Sequence, residues 1–299
     1  MLVLSFGVEE QPQYIYDKLN RYLNEQKRKV GNVVINLQEQ GDITFFSINI
    51  DDSTVLNNLD KFSYEKIKYC IASAICSLIV DWTKERFIQK TIEENYYFLD
   101  DIEKQKIKEL SISKFNQLID NQSFSKIKYT IIKKILEFLD NNYQLNFEGF
   151  ITFRLKEYTK EVINLIDYSA NNYFLEREYY EFINLLKYFL NIQDSKEDLV
   201  HIVPLNNRYA ILNQQYNEVQ DEVYNLLQKN FKLNLTTEDI LISRIISISP
   251  KKVIFHSIDN NPKHTEIINL VKLIFEERLS VCYGCEICKN MEKQNEGKI

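Results

Sequence analysis

The stretch 147–193 constrains the fold more than any other part of the chain. It contains one glycine and no proline, so nothing in it forces a helix to end. Apolar residues recur in it at alternating steps of four and three, which is the spacing of the buried side of an amphipathic helix. The first set is Ile151, Leu155, Tyr158, Val162 and Leu165, and the second is Leu175, Tyr179, Phe182, Leu186 and Phe189.

A polar segment at 167–172 separates the two apolar sets. It carries residue types that cap or end helices, so it predicts a hairpin or a sharp kink between two amphipathic helices. Both stripes should then face one shared core. Six side chains are expected in that core, namely Leu155, Tyr158, Val162, Phe182, Leu186 and Phe189.

The composition is typical of a helix-rich globular protein. Of 299 residues, 44% are hydrophobic and 27% are charged, while only six are glycine and four are proline. The net charge of −6, with acids and bases interspersed, argues against a nucleic-acid partner. No signal peptide is expected, because the short apolar start has no charged residue before it and is followed directly by acids. No transmembrane segment is expected either, because no apolar run approaches the length needed to span a bilayer. We therefore expect a cytoplasmic protein.

The fold class predicted from the whole chain is α+β, with a predominantly helical middle flanked by two mixed regions. Residues 1–60 predict a small β-α-β-β lobe, and residues 61–193 a helical bundle that ends in the long helical hairpin. Residues 199–288 predict a C-terminal α/β lobe, and residues 289–299 a disordered tail.

Within the C-terminal lobe, strands are predicted at 199–204, 208–212, 252–258 and 279–282, with helices at 218–230, 237–248 and 264–277. The last two strands flank a helix. A strand, helix and strand in this order predict a parallel crossover, so 252–258 and 279–282 should lie side by side in one sheet. The lobe should end in a cysteine-containing loop.

Three blocks in the second half of the chain resemble, in their order, the sporulation proteins of the YtxC type. They are GFITFRLKEY (149–158) running into EREYYEFINLLKYFLNIQ (176–193), then EDILISRIISISPKKVIFH (238–256), then ERLSVCYGCEIC (277–288). The resemblance implies a soluble protein of endospore-forming bacteria with a role in sporulation. It supplies no catalytic residues, so the candidate sites come from the residues themselves.

The strongest local signal for chemistry is the C-x2-C-x2-C motif formed by Cys282, Cys285 and Cys288. In a reducing cytosol these thiols are not expected to form structural disulfides. Three thiolates supply most of a tetrahedral zinc site, or three corners of an iron–sulfur cluster. The alternative is an exposed turn that carries three incidental thiols.

A fourth ligand would have to come from elsewhere in the chain or from an exogenous group. The protein candidates are His256, His264, Cys70 and Cys76. His256 is preferred, because His256 and Cys282 would both lie at the carboxyl ends of adjacent parallel strands. The competing interpretation of His256 is a buried histidine satisfied by backbone groups. Cys70 and Cys76 lie six residues apart in an apolar helix and are expected to be small core residues.

Two charged groups in the long helical stretch are weaker candidates. Glu178 and Glu181 lie one turn apart, but no histidine stands at the spacing that di-iron bundles use, so a solvated helix face is expected. The basic residues Arg154, Lys156 and Lys160 are interleaved with Glu157 and Glu161, which favours ion pairs within the helix over a phosphate site. The chain shows no catalytic motif, so an enzymatic activity is unsupported.

Two functional hypotheses follow from the sequence. The first is a non-catalytic cytosolic scaffold or interaction module with a sporulation-associated role and a protein partner, in which any metal is structural. The second is a redox-responsive thiol or metal protein that uses Cys282, Cys285, Cys288 and His256 to bind zinc or an iron–sulfur cluster.

Overall fold

The computed structural model describes residues 2–25, 33–50, 61–120, 122–205, 208–221, 236–257 and 262–288. The chain divides into two units, Met1–Phe174 and Leu175–Ile299, and each contains its own hydrophobic core. Long helices and two four-stranded mixed sheets build these units, which confirms the α+β class and the helical middle. The predicted tail at 289–299 lies outside the described residues.

The first sheet consists of β1 (Leu2–Val8), β2 (Val33–Gln40), β3 (Ile43–Ile50) and β4 (Gln144–Asn146), and helix α1 (Pro12–Glu25) lies between β1 and β2 in the chain. The strand order is β2-β3-β1-β4. Every second residue of β3 is buried, as expected for a strand with one face on the core. The predicted β-α-β-β order is observed, and β4, which was too short to be predicted, adds a parallel edge to β1.

Four further helices of the first unit share a hydrophobic core with this sheet. They are α2 (Lys61–Trp82), α3 (Ile88–Asn95), α4 (Asp101–Ile119) and α5 (Gln122–Leu139). A π-helical turn, Thr83–Phe87, connects α2 to α3, so the helical backbone changes its winding directly after Trp82. Sheet and helices share one core, so the N-terminal lobe and the first part of the helical region are packed together.

The predicted hairpin at 167–172 is wrong, because a single helix, α6 (Lys156–Ile192), runs through this segment. The polar residues that suggested a break are accommodated within the helix. Asp167 accepts a hydrogen bond from the Tyr96 hydroxyl (2.8 Å), and Ser169 donates to the carbonyl of Leu165 (2.9 Å). With these groups satisfied and no proline present, the helical backbone continues.

Only the first of the two predicted apolar stripes is buried. Leu155, Tyr158 and Val162 lie in the core of the first unit, whereas Phe182 and Phe189 are exposed and Leu186 is half-buried. In the second half of α6 the buried side chains are Ile183 and Leu190, which pack in the core of the second unit. Residues 183, 186 and 190 have the same helical spacing as the predicted stripe, so periodicity could not select between the two sides.

The strands of the second sheet are β5 (Leu199–Leu205), β6 (Arg208–Leu212), β7 (Lys252–His256) and β8 (Leu279–Cys282). Their order in the sheet is β6-β5-β7-β8. β5 and β6 are antiparallel, while β7 is parallel to both β5 and β8. The predicted parallel pairing of the last two strands is therefore observed.

Two helices of this unit, α7 (Thr237–Ile248) and α8 (Pro262–Phe275), contribute their apolar sides to its core. A capping box between Thr236 and Asp239 begins α7. The helix predicted at 218–230 does not begin at Glu218, which forms a β-bridge with Leu212, and 222–230 lies outside the described residues. Among the helices that the structure describes, none has the length and apolar character to cross a bilayer.

Candidate metal centre

The parallel pairing of β7 and β8 brings His256 and Cys282 to the same sheet edge. These two residues are direct register partners at the carboxyl ends of their strands. Register partners on neighbouring strands point their side chains to the same face. Beyond this pair, the backbone N–H of Ser257 donates to the carbonyl of Cys282 (2.9 Å), which ties the two chain segments together where the cysteine loop begins.

The loop then folds back over the sheet edge so that its later cysteines return to His256. Ile287 packs against a small apolar cluster that includes Val203 and Ala210, and this contact holds the end of the loop. Cys288 is consequently buried, with 1% of its surface exposed, while Cys282 and Cys285 are partly exposed.

Four donor atoms converge at this position. The Nδ1 atom of His256 lies 3.3 Å from Sγ of Cys285 and 3.5 Å from Sγ of Cys288. The Sγ atom of Cys288 lies 3.7 Å from that of Cys285 and 4.0 Å from that of Cys282. All four donor atoms lie within 4.8 Å of one another. The structure thus brings together the four residues that the sequence selected.

These separations suit a single tetrahedral ion. Zinc–sulfur bonds of about 2.3 Å place two sulfur ligands about 3.8 Å apart at the tetrahedral angle, and a zinc–nitrogen bond of about 2.0–2.1 Å places nitrogen about 3.5 Å from sulfur. The sulfur–sulfur distances of 3.7 and 4.0 Å and the nitrogen–sulfur distances of 3.3 and 3.5 Å match this geometry. The other two separations, from Cys282 to Cys285 and to His256, are at most 4.8 Å. The donor set is Cys3His, which is common among closed structural zinc sites.

The protonation of the site also suits a cation. Burial, together with the neighbouring His201, lowers the pKa of His256 to about 4, so its imidazole is neutral and available as a ligand near pH 7. The backbone N–H of Gly284 lowers the pKa of Cys282, because it favours the thiolate. Burial raises the pKa of Cys288 to about 12, so an ion entering the site has to displace the proton of this thiol.

A second histidine, His201, contacts the group and was missed in the sequence. It lies on β5, is 5% exposed, and places its Nδ1 atom 3.0 Å from Nε2 of His256. The register of the parallel strands β5 and β7 pairs His201 with Ile254. His256 lies two residues after Ile254, so His201 and His256 are diagonal neighbours on the same face of the sheet. The available signal was that two of the three histidines in the chain, His201 and His256, occur in strands predicted for the same C-terminal lobe.

The other candidate residues lie elsewhere. Cys70 and Cys76 are buried in the core of the first unit, as expected. His264 lies on α8, where its ring contacts that of Tyr209. Glu178 and Glu181 are both exposed, and Glu181 pairs with Arg177 at 3.5 Å, in keeping with a solvated helix face.

Comparisons with known proteins place the chain in a family. The YtxC-like family matches residues 69–280, which include both histidines of the sheet edge and end just before Cys282. YtxC of Bacillus subtilis (strain 168) is 22% identical over 213 residues, covering 69% of this chain and 74% of that protein. No solved structure matches the chain. Because the family match extends over more than half of the residues, the chain belongs to the YtxC-like family.

Proposed function

We propose that the C-terminal unit is a zinc-binding module whose metal is structural, within a non-catalytic protein. The observation that carries this proposal is the convergence of three thiols and one imidazole, whose donor atoms all lie within 4.8 Å of one another. Four protein ligands would complete the coordination sphere of zinc and leave no open position for substrate or water. The ion would join β7, β8 and the loop after β8, and so stabilise the sheet edge.

The spacing favours a single ion over an iron–sulfur cluster. In a four-iron cluster each thiolate binds a different iron atom, so the ligand sulfurs stand around a core much larger than one ion. Here the Sγ atoms of Cys285 and Cys288 are 3.7 Å apart, close enough to share one metal. Among single ions, zinc is the usual occupant of a tetrahedral site rich in sulfur.

Anaerobic purification followed by metal analysis tests this proposal. We expect a colourless protein that holds one zinc ion per chain. Cys285→Ser and His256→Ala should each lose the ion or bind it far more weakly, whereas Cys70→Ser, which alters a buried cysteine of the other unit, should retain it. A brown protein with iron and labile sulfide would show a cluster instead, and a wild-type protein without metal would contradict metal binding altogether.

A redox-responsive thiol site is a second candidate, and Cys282 favours it. This thiol is partly exposed and its pKa is lowered, so a larger share of it is thiolate at neutral pH than in an ordinary cysteine. Treatment of the zinc-loaded protein with hydrogen peroxide distinguishes the two roles. Zinc release at low peroxide, reversed by a thiol reductant, would support sensing, while retention of zinc would support a purely structural site.

The role that the family resemblance implies is the remaining part of the proposal. We infer that the module serves a sporulation-associated function in the cytosol, exercised through a protein partner; the resemblance of the three sequence blocks supports this. Two strains of the host test it, one in which the gene is deleted and one in which it encodes the Cys285→Ser variant. Spores are counted in both strains and in the parent strain. Equal spore numbers in the deletion strain and the parent strain would contradict the role.

A further inference from the structure

His256 presents its two ring nitrogens to different neighbours. Its Nδ1 atom faces Sγ of Cys285 and Cys288, whereas its Nε2 atom lies 3.0 Å from Nδ1 of His201. A neutral imidazole carries one proton, and a metal binds the nitrogen that lacks it. The position of the proton on His256 therefore decides whether Nδ1 is free to bind an ion.

From this arrangement we propose that His201 is a positioning residue of the metal centre. Its Nδ1 accepts the Nε2–H of His256, which places the proton of His256 on Nε2 and leaves Nδ1 for the ion. The inference rests on the zinc site proposed above and adds the ligand atom and the group that selects it. In metal sites generally, the second N–H of a ligating histidine is donated to such an acceptor, which fixes both tautomer and ring orientation.

The surroundings of His201 hold it in place for this task. The residue is buried on β5, and the ring of Tyr216 packs against it with 4.9 Å between ring centroids. Tyr216 lies in a turn after β6, in which the Asn213 side chain accepts hydrogen bonds from the backbone N–H groups of Gln215 and Asn217 (3.0 Å each). The turn and the strand together confine the His201 ring between Tyr216 and His256.

Zinc affinity of the full chain, measured by competition with a chelator, tests the proposal. Removing an acceptor of this kind commonly weakens metal binding 10–100-fold, so His201→Leu should lose about that much. His201→Asn should restore affinity to within a few-fold of wild type, because Oδ1 of asparagine can occupy the place of the histidine Nδ1 and accept the same hydrogen bond. His264→Leu, which removes the third histidine from outside the group, should bind zinc as the wild type does.

A spectroscopic measurement separates positioning from packing. In zinc-loaded protein labelled with 15N-histidine, long-range 1H–15N correlations should show His256 with its proton on Nε2 and its metal bond at Nδ1. Binding through Nε2, or His201→Leu with unchanged zinc affinity, would overturn the role of His201 while leaving the zinc site intact. A wild-type chain that binds no zinc would instead overturn the proposed function, and this inference with it.

Discussion

Two consecutive hydrogen bonds link the buried side chains of Tyr158 and Thr83 to the backbone of Ile79. The Tyr158 hydroxyl donates to Oγ1 of Thr83 (2.9 Å), which in turn donates to the carbonyl of Ile79 (2.8 Å). Thr83 begins the π-helical turn, so this chain of bonds connects α6 to the point where α2 changes its winding. Buried hydrogen bonds of this kind select one arrangement of the packed helices.

Tyr158→Phe removes the donor and leaves the rest of the ring in place. We expect the free energy of unfolding to fall by about 0.5–1.5 kcal/mol, which is the net contribution of a typical buried hydrogen bond. Urea denaturation measures this loss. Tyr179→Phe, at an exposed position of the same helix, is the matched control and should change the stability little. Equal effects of the two substitutions would contradict the contribution of the Tyr158 hydrogen bond.

Glu148 is held in an environment that disfavours its charge. Its Oε2 atom is buried and lacks a hydrogen-bond partner among the described residues, and burial is the main cause that raises its pKa. The folded protein therefore binds the proton more tightly than the unfolded chain does. By linkage, stability should rise as pH falls from above the folded pKa towards the ordinary value of 4.5.

Glu148→Gln tests this sign. The variant should be more stable than the wild type at pH 7, because it carries no buried charge, and its advantage should shrink as pH falls through the raised pKa of the wild-type carboxyl. Urea denaturation of both proteins between pH 7 and pH 4 measures the difference. An advantage that grows with acidity would show that the charged carboxylate is favourably bound.

At the scale of elements, the central feature is the unbroken course of α6 from Lys156 to Ile192. Its first half packs in the core of the first unit, and its second half contributes Ile183 and Leu190 to the core of the second. The segment that was expected to be a hairpin contains Asn171 and Asn172, both exposed and both helical.

Substitutions at Asn171 distinguish a continuous helix from a hairpin. Proline at this position should destabilise the protein by about 3 kcal/mol, because it removes a backbone hydrogen bond and clashes with the preceding turn. Asn171→Ala should instead stabilise it by a few tenths of a kcal/mol, since alanine has the higher helix propensity. Thermal unfolding compares the three proteins. If Asn171→Pro leaves the stability unchanged, the backbone at this position forms a loop and not a helix.

Adjacent positions in the second half of α6 should differ sharply in their contribution to stability. Ile183→Ala should cost about 2–5 kcal/mol, because it removes buried methyl groups and leaves a cavity in the core of the second unit. Phe182→Ala, at a position that is 53% exposed, should cost well under half as much. Chemical denaturation followed by circular dichroism measures both. A larger loss of stability for Phe182→Ala than for Ile183→Ala would show that the predicted stripe containing Phe182 faces the core.

At the scale of the whole molecule, each of the two units has its own core, so the unfolding of each unit can be followed by a different spectroscopic signal. The only tryptophan of the chain, Trp82, is buried in the first unit against Phe87 and Phe147. The candidate metal centre belongs entirely to the second unit. Tryptophan fluorescence therefore reports on the unit that lacks the metal centre.

Zinc removal should consequently affect one transition more than the other. With free zinc about 100-fold above its dissociation constant, binding stabilises the folded second unit by about 2.7 kcal/mol. A chelator should lower the thermal midpoint of part of the circular dichroism signal and leave the midpoint of Trp82 fluorescence nearly unchanged. Cys285→Ser should show no response to the chelator. A common shift of both signals would mean that the two units unfold together.

Patterns of short range in the sequence were sufficient for much of this structure. The helical periodicity, the strand–helix–strand order before Cys282 and the C-x2-C-x2-C spacing depend on residues close together in the chain. They therefore predicted a helical middle, the parallel pair of strands and the place of the cysteine loop. Tertiary packing decided the rest. The contact of Asp167 with the Tyr96 hydroxyl supports helix where capping residues suggested a break. The second core selected Ile183 over Phe182, and the strand register placed His201 beside His256, because burial and cross-strand neighbours depend on residues far apart in the chain.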